Sequence, residues 1–185
     1  MDKTKLNKHF ILASSSQRRL ELLSQIGVKP DLILSPNIDE KIFSKELPRI
    51  YVERMSLKKS RVFQQKHPQS IILTADTVVS VGRRILPKTM DVNLAEECLK
   101  LISGRRHKVL TSFTVYSPNN SLKTKTIQSI IKFKRLHPDE ISYYLATKEW
   151  EGKAGGYAIQ GIAASFINFI SGSYSNVVGL SLIHI

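Results

Sequence analysis

The chain has 185 residues, of which 42% are hydrophobic and 23% are charged, a composition typical of a soluble globular protein and unlike that of a disordered chain. A chain of this length can bury roughly 70% of its unfolded surface, so a packed core needs no disulfides. The net charge of +13 favours the binding of polyanions, but it does not distinguish nucleic acid from a triphosphate.

The N-terminal segment indicates neither export nor membrane insertion. Residues 1–9 are basic, but the apolar run that follows, 10–13, is shorter than a signal-peptide core. Nowhere are there the roughly 18 uninterrupted apolar residues that a spanning helix needs. The single cysteine, Cys98, cannot form an intramolecular disulfide, and its position on the apolar side of a predicted helix makes it a small core residue. We therefore expect a cytoplasmic protein with no membrane partner.

The hydrophobic pattern alternates between strands and helices along the first half of the chain. The predicted elements are a buried strand at 10–13, a helix at 17–26, a strand at 31–34, a helix at 49–65 and a buried strand at 70–75. Asp76 is placed at the end of the last of these strands. A hairpin over 78–86, turning at Gly82, follows it.

The second half predicts an antiparallel extension of the same sheet. A helix at 91–102 precedes two alternating strands, 107–116 and 122–134, which the turn residues 117–120 join as a hairpin. A short helix opened by Pro138, a glycine-rich stretch at 152–161 and a strand at 165–170 complete the chain. The predicted class is α/β with an antiparallel extension.

A first candidate site lies at the junction between the first strand and helix. The predicted helix N-terminus offers free backbone amides and the hydroxyls of residues 14–16, with Arg18 and Arg19 in the first turn. This arrangement favours the binding of phosphate oxygens. A serine cap followed by surface arginines would give the same residues.

A second candidate site centres on two carboxylates. Asp76 at a strand end could accept a proton from water or bind a divalent metal, and Glu40 could be a second oxygen ligand. Lys59 and Lys88 could neutralise phosphates as point charges. Taken singly, Asp76 could equally cap a turn and the other three could be solvated surface charges.

Two further segments carry polar groups of interest. Gln160, in a glycine-rich stretch, presents an amide that can pair with the O4 and N3–H edge of uracil or thymine, although an exposed turn would look the same. His107 begins a strand without a spaced partner and is expected to be structural.

Five segments, in this order, resemble those of the Maf family of nucleotide pyrophosphatases: 12–19, 75–78, 103–107, 153–161 and 173–180. The resemblance implies a two-lobed α/β fold similar to that of inosine triphosphate pyrophosphatases, with an elongated mixed sheet, flanking helices and a central cleft. It also implies a house-cleaning hydrolase, often dimeric, that needs Mg²⁺ or Mn²⁺ and cuts a nucleoside triphosphate into a monophosphate and pyrophosphate.

The resemblance also assigns roles by position. Asp76 matches the family's proton acceptor, and Ser14, Arg19, Glu40, Lys59 and Lys88 fall on its phosphate- and metal-handling positions. We expect Glu40 and Asp76 to bind the metal and the other four residues to bind phosphate.

The resemblance assigns base specificity to Arg18, Thr77 and Gln160, which match the dTTP/UTP type. The 7-methyl-GTP type carries Trp, Gln and Glu there and is the alternative enzyme. The rival from another class is a division-inhibiting or nucleic-acid-binding protein. Such proteins usually interleave exposed aromatics with basic residues, whereas the aromatics here mostly occupy apolar strand or helix positions. We therefore expect no nucleic acid as the primary partner.

The sequence departs from the family pattern at three places. Gln17 and Thr89 each replace a usual proline, so both loops lose a restraint on φ. The sequence ends at Ile185, where the family continues into a closing helix. We expect residues 1–185 to form a single domain of this type without that helix.

Overall fold

One mixed β-sheet organises the computed structural model, which describes residues 9–119 and 121–185. The strands are β1 (Phe10–Ala13), β2 (Leu32–Leu34), β3 (Ile71–Val81), β4 (Arg84–Leu86), β5 (Arg106–Ser117), β6 (Ser121–Phe133) and β7 (Ile167–Ser171). The helices are α1 (Gln17–Gln25), α2 (Pro48–Gln64), α3 (Val92–Ile102), α4 (Pro138–Ala146) and α5 (Tyr174–Val178). Asn120, part of the predicted hairpin turn, lies outside the described residues.

The strand order confirms the predicted α/β class with an antiparallel extension. The order is β2-β1-β3-β5-β6-β7, with β4 paired to β3. β1 is parallel to both β2 and β3, whereas β3, β5, β6 and β7 form an antiparallel series. The predicted hairpin from β5 to β6 is confirmed by continuous pairing from Arg106 to Ser117.

Side chains that alternate along the strands pack against helices on both faces of the sheet. Ile11 and Ala13 of β1 pack with Phe63 of α2, whereas Leu12, which points the other way, packs with Leu22 of α1. The face opposite α2 holds the larger core, to which α1, α3 and α4 all contribute. Cys98 lies in that core, as predicted, and burial raises the pKa of its thiol.

The helix and turn signals correspond closely to the observed ends. Pro48 and Pro138 are the first residues of α2 and α4, and the side chain of Asp91 accepts a hydrogen bond from the Asn93 amide at the start of α3. Gly82 has φ +58° in the tight turn between β3 and β4. Within the described residues no helix combines the length and apolar character that crossing a bilayer requires.

Two strand predictions were wrong. The strand at 165–170 begins later, because a short 3-10 helix occupies Ile162–Phe166 before β7. The strand at 70–75 does not end at Asp76, since β3 continues to Val81. Pairing with β5 persists from Ile72 to Ser80, so β3 stays extended after its parallel neighbour β1 has ended.

Candidate active site

A gap beside β3 positions the candidate site. One side of β3 is covered by β5, but the other pairs with β1 only as far as Thr74 and with β4 only from Val79. Asp76 and Thr77 lie between these two neighbours. A cavity of about 420 Å³ opens at the gap, a volume in the range of small-molecule sites. Its walls come from the start of α1, the loop after β2, α2, β3, β5, the segment after β4, the glycine-rich loop and the end of α5.

Four charged side chains form an alternating cluster on the α2 side of the gap. Asp76 Oδ1 lies 2.7 Å from Lys59 Nζ and 3.4 Å from Lys88 Nζ. Glu40 places Oε1 at 2.7 Å from Lys59 Nζ and Oε2 at 3.3 Å from Lys88 Nζ. The structure thus brings together four predicted residues that come from two loops, a helix and a strand.

The cluster keeps both carboxylates ionised. Burial by itself would raise the pKa of Asp76, but Lys88, Lys59 and Arg19 together hold it below the usual range. For Glu40, burial is likewise outweighed by Lys88 and Lys59, and its pKa is also lowered. Asp76 is fully buried, yet its Oδ2 has no hydrogen-bond partner. That oxygen is therefore a charged acceptor with unused capacity.

Arg19, on α1, lies on the face of β3 opposite the charged cluster and lines the α1 end of the cavity. Its guanidinium donates to Ser14 Oγ at 2.8 Å, to Thr77 Oγ1 at 3.1 Å and to the Gly179 carbonyl oxygen at 2.9 Å. Burial lowers its pKa to about 10, although the charge of Asp76 opposes that shift. Arg19 is thus a rigid, still protonated cation whose hydrogen bonds tie α1, β3 and the end of α5 together.

The loop into α1 has the features of an anion site. Ser16 precedes the helix in an extended conformation, but its side chain makes no cap hydrogen bond. The backbone amides in the first turn of α1 therefore receive no hydrogen bond acceptor from the Ser16 side chain. Ser14, Ser15 and Arg18 line the cavity beside it. Burial lowers the pKa of Arg18, partly against the charge of Glu21.

The donor set fits a hard divalent cation. Within the described ranges no group of three or more His, Cys, Asp or Glu side chains is close enough to hold a metal ion by itself. Glu40 and Asp76, however, share one cluster, and ionised carboxylate oxygens are the ligands that such a cation prefers. Phosphate oxygens and water complete such a coordination shell in nucleotide enzymes.

Not every predicted residue faces the cavity. Gln160 is exposed and is not among the lining residues, although Ile159 beside it is. His107 is buried against Phe133 and Tyr157, and its Nε2 lies 2.8 Å from the Tyr157 hydroxyl oxygen. The structural role predicted for His107 agrees with that packing.

The glycine-rich loop also contributes to the cavity, because residues 151–154 line it, although Gln160 was its only residue with a predicted role. The loop is hydrogen-bonded to the segment that carries Lys88: the Gly152 amide donates to the Thr89 carbonyl oxygen at 2.9 Å and the Gly155 amide to that of Pro87 at 3.2 Å. Lys88 and Ala154 form an isolated antiparallel bridge. Only the glycines at 152, 155 and 156 signalled such a close approach.

Comparison with known proteins identifies the family of the chain. A family model described as "Maf-like protein" matches residues 9–185. The chain is 50% identical over 175 residues to the dTTP/UTP pyrophosphatase of Wolbachia pipientis subsp. Culex pipiens (strain wPip), covering 94% of this chain and 89% of that protein. It is 52% identical over 172 residues to the dTTP/UTP pyrophosphatase of Zymomonas mobilis subsp. mobilis, covering 93% and 85%. A solved HAM1 protein from Coxiella burnetii is similar with a TM-score of 0.49 and 12% identity over 70% of this chain and 74% of that one.

Proposed function

The chain belongs to the Maf-like protein family and is a nucleoside triphosphate pyrophosphatase, and we propose that its substrates are dTTP, UTP and modified pyrimidine nucleotides. The bond cut is the one between the α- and β-phosphates, and the products are a nucleoside monophosphate and pyrophosphate. The observation that carries the proposal is the ionised Asp76 in the gap of the sheet, with one oxygen unpartnered, beside a cavity rich in cationic side chains.

Asp76 is the proposed proton acceptor. Its Oδ1 is held by Lys59, so Oδ2 is the oxygen that would take a proton from the water attacking the α-phosphorus. Lys88 is the more exposed of the two lysines and makes the longer contact with Asp76, so it is the residue that would move onto the phosphates as substrate enters. Arg19 and Ser14, locked to each other, would bind the phosphates from the α1 side.

A divalent metal, Mg²⁺ or Mn²⁺, is the proposed cofactor, with Glu40 and Asp76 as its protein ligands. Bound there, it would polarise phosphate oxygens as a Lewis acid. The chain's own contribution is to keep both carboxylates ionised, which Lys59 and Lys88 do by lowering their pKa values.

Base choice is assigned to Arg18, Thr77 and Gln160. Arg18 and Thr77 line the cavity on the face of β3 opposite Asp76, which would separate base recognition from phosphate chemistry. Gln160 follows the lining residue Ile159 and would turn its amide onto the uracil or thymine edge when a base is present.

The test is a panel of dTTP, UTP, CTP and 7-methyl-GTP with Mg²⁺ or Mn²⁺, scored for pyrophosphate against orthophosphate. We expect pyrophosphate from dTTP and UTP, no activity in EDTA, and recovery when metal is added back. Gln160→Glu should lower kcat/KM for dTTP and UTP about 10- to 100-fold with the metal dependence unchanged. A wild type that prefers 7-methyl-GTP would reject the pyrimidine assignment, and full activity in EDTA would reject the metal.

A further inference from the structure

The cations that line the cavity differ in how they are neutralised. Lys59 and Lys88 both form ion pairs with Glu40 and Asp76. Across the described residues, 9–119 and 121–185, the remaining lining cations have no carboxylate within ion-pair distance; these are Arg18, Arg19 and Lys153. The uncompensated positive charge of the cavity is therefore concentrated away from the carboxylate cluster.

Lys153 belongs to this uncompensated set and has no role in the mechanism above. Its amine donates to the Glu151 carbonyl oxygen at 3.2 Å, a neutral partner within its own loop. Burial lowers its pKa, and so does the charge of Arg18, which lines the same cavity, although the charge of Glu151 opposes the shift. Two cations that share a partly desolvated cavity are stabilised when an anion binds near both of them.

The backbone fixes the position of Lys153 in the cavity wall. Ala154, the next residue, pairs with Lys88, and hydrogen bonds from Gly152 and Gly155 hold the loop on both sides of that pair. Lys153 is thus anchored next to the segment that carries Lys88, in a cavity that Arg18 also lines. The proposed function assigns the β- and γ-phosphates to the carboxylate cluster and the base to Arg18, and in a nucleotide the group between those two parts is the α-phosphate.

We infer that Lys153 is a further substrate-binding residue that contacts an oxygen of the α-phosphate, the group that the reaction leaves on the nucleoside monophosphate. The inference rests on the proposed function, because it assumes a nucleotide whose triphosphate points toward Asp76.

The test measures the binding of dTMP and of thymidine by calorimetry, together with steady-state turnover of dTTP. We expect Lys153→Met to weaken dTMP binding about 10-fold or more and to raise KM for dTTP, while thymidine binding stays as in wild type, because thymidine has no phosphate. Lys153→Arg keeps the charge and should retain most of the dTMP affinity. Lys125→Met, which removes one exposed positive charge from β6, is the matched control and should bind both ligands as wild type does.

Two outcomes would overturn the inference. One is unchanged dTMP affinity in Lys153→Met; the other is an equal loss for thymidine and dTMP, which would make Lys153 a contact to the base or a support for the loop. The binding measurements do not depend on turnover. A wild type that binds dTMP but releases no pyrophosphate from dTTP would therefore reject the proposed function and leave the contact to be judged by binding alone.

Discussion

Asp76 and Thr77 are adjacent residues whose side chains point to opposite faces of β3. Asp76 points toward α2, where Lys59 and Lys88 hold it, whereas Thr77 points toward α1, where it contacts Arg19. Thr77 lines the cavity and Asp76 lies buried beside it, at the gap that is left because β1 ends at Ala13 and β4 begins to pair at Val79. The gap therefore brings a carboxylate on one face of the strand and a hydroxyl on the other beside the same cavity, which is what the proposed roles of the two residues require.

The first prediction concerns Asp76→Asn. The amide keeps the shape of the side chain but removes its basicity and one negative charge, so kcat for dTTP should fall by at least about 100-fold. The fold should persist, because Lys59 keeps Glu40 as an ion-pair partner at 2.7 Å. Steady-state turnover and a melting curve measure the two effects separately.

Asp139→Asn is the control for loss of a carboxylate charge, since that side chain is 92% exposed. It should leave kcat unchanged. Turnover of Asp76→Asn within a few-fold of wild type would remove Asp76 from the mechanism.

The sequence singled out the four charged residues of the cluster but not their geometry. Asp76, Glu40, Lys59 and Lys88 carry charges that a pattern can single out, and the structure places them in one cluster. Lys153 could not be given a role in the same way, because its position depends on backbone pairing with a segment more than sixty residues earlier in the chain. No local pattern encodes such a pairing.

At the scale of elements, the predictions succeeded where local chemistry sets the boundary. Pro138 and Asp91 mark helix starts, and Gly82 marks a hairpin turn, through their own backbone preferences. The predicted end of β3 was wrong, because the length of a strand is set by the strands that pair with it. β5 pairs with β3 as far as Ser80, and that partner is distant in sequence.

The loop that carries Lys153 yields a prediction about Gly155. Gly155 has φ +70°, and an added Cβ would lie 2.8 Å from Val79 Cβ. Gly155→Ala should therefore combine backbone strain with a clash against β3, lowering the free energy of unfolding by about 2–4 kcal/mol. It should also raise KM for dTTP, because the loop would shift away from the segment that carries Lys88.

Gly152→Ala is the matched control for the strain alone. Gly152 has φ +64°, but an added Cβ would meet nothing within 4 Å. Denaturant unfolding should therefore show a smaller loss for Gly152→Ala than for Gly155→Ala. Equal losses would mean that contact with Val79 does not fix the loop.

At the scale of the whole molecule, residues of the hydrophobic core also line the cavity. Tyr157 lines the cavity, and behind it His107 packs edge-on against both Tyr157 and Phe133. His107 is only 2% exposed, and its Nδ1 has no hydrogen-bond partner. A charged imidazole would therefore have no anion to stabilise it, and burial lowers the pKa of His107 to about 4.

This buried histidine predicts how stability depends on pH. In the unfolded chain a histidine titrates near pH 6.5, so between about pH 6.5 and pH 4 the unfolded state binds a proton that the folded state does not. The contribution of His107 is fully present above pH 6.5 and is lost as the pH falls through this window. The free energy of unfolding should drop by about 3 kcal/mol between pH 7 and pH 4 from this group alone.

His107→Gln isolates that contribution, because glutamine keeps a polar group facing the Tyr157 hydroxyl but does not titrate. Urea unfolding of both proteins at pH 7, 5.5 and 4 gives the free energy of unfolding at each pH. Wild type should lose about 3 kcal/mol more than His107→Gln over this range, whatever the absolute stability of the variant at pH 7. Parallel curves would show that the imidazole is protonated in the folded protein, in which case the wall behind Tyr157 must admit water or an anion.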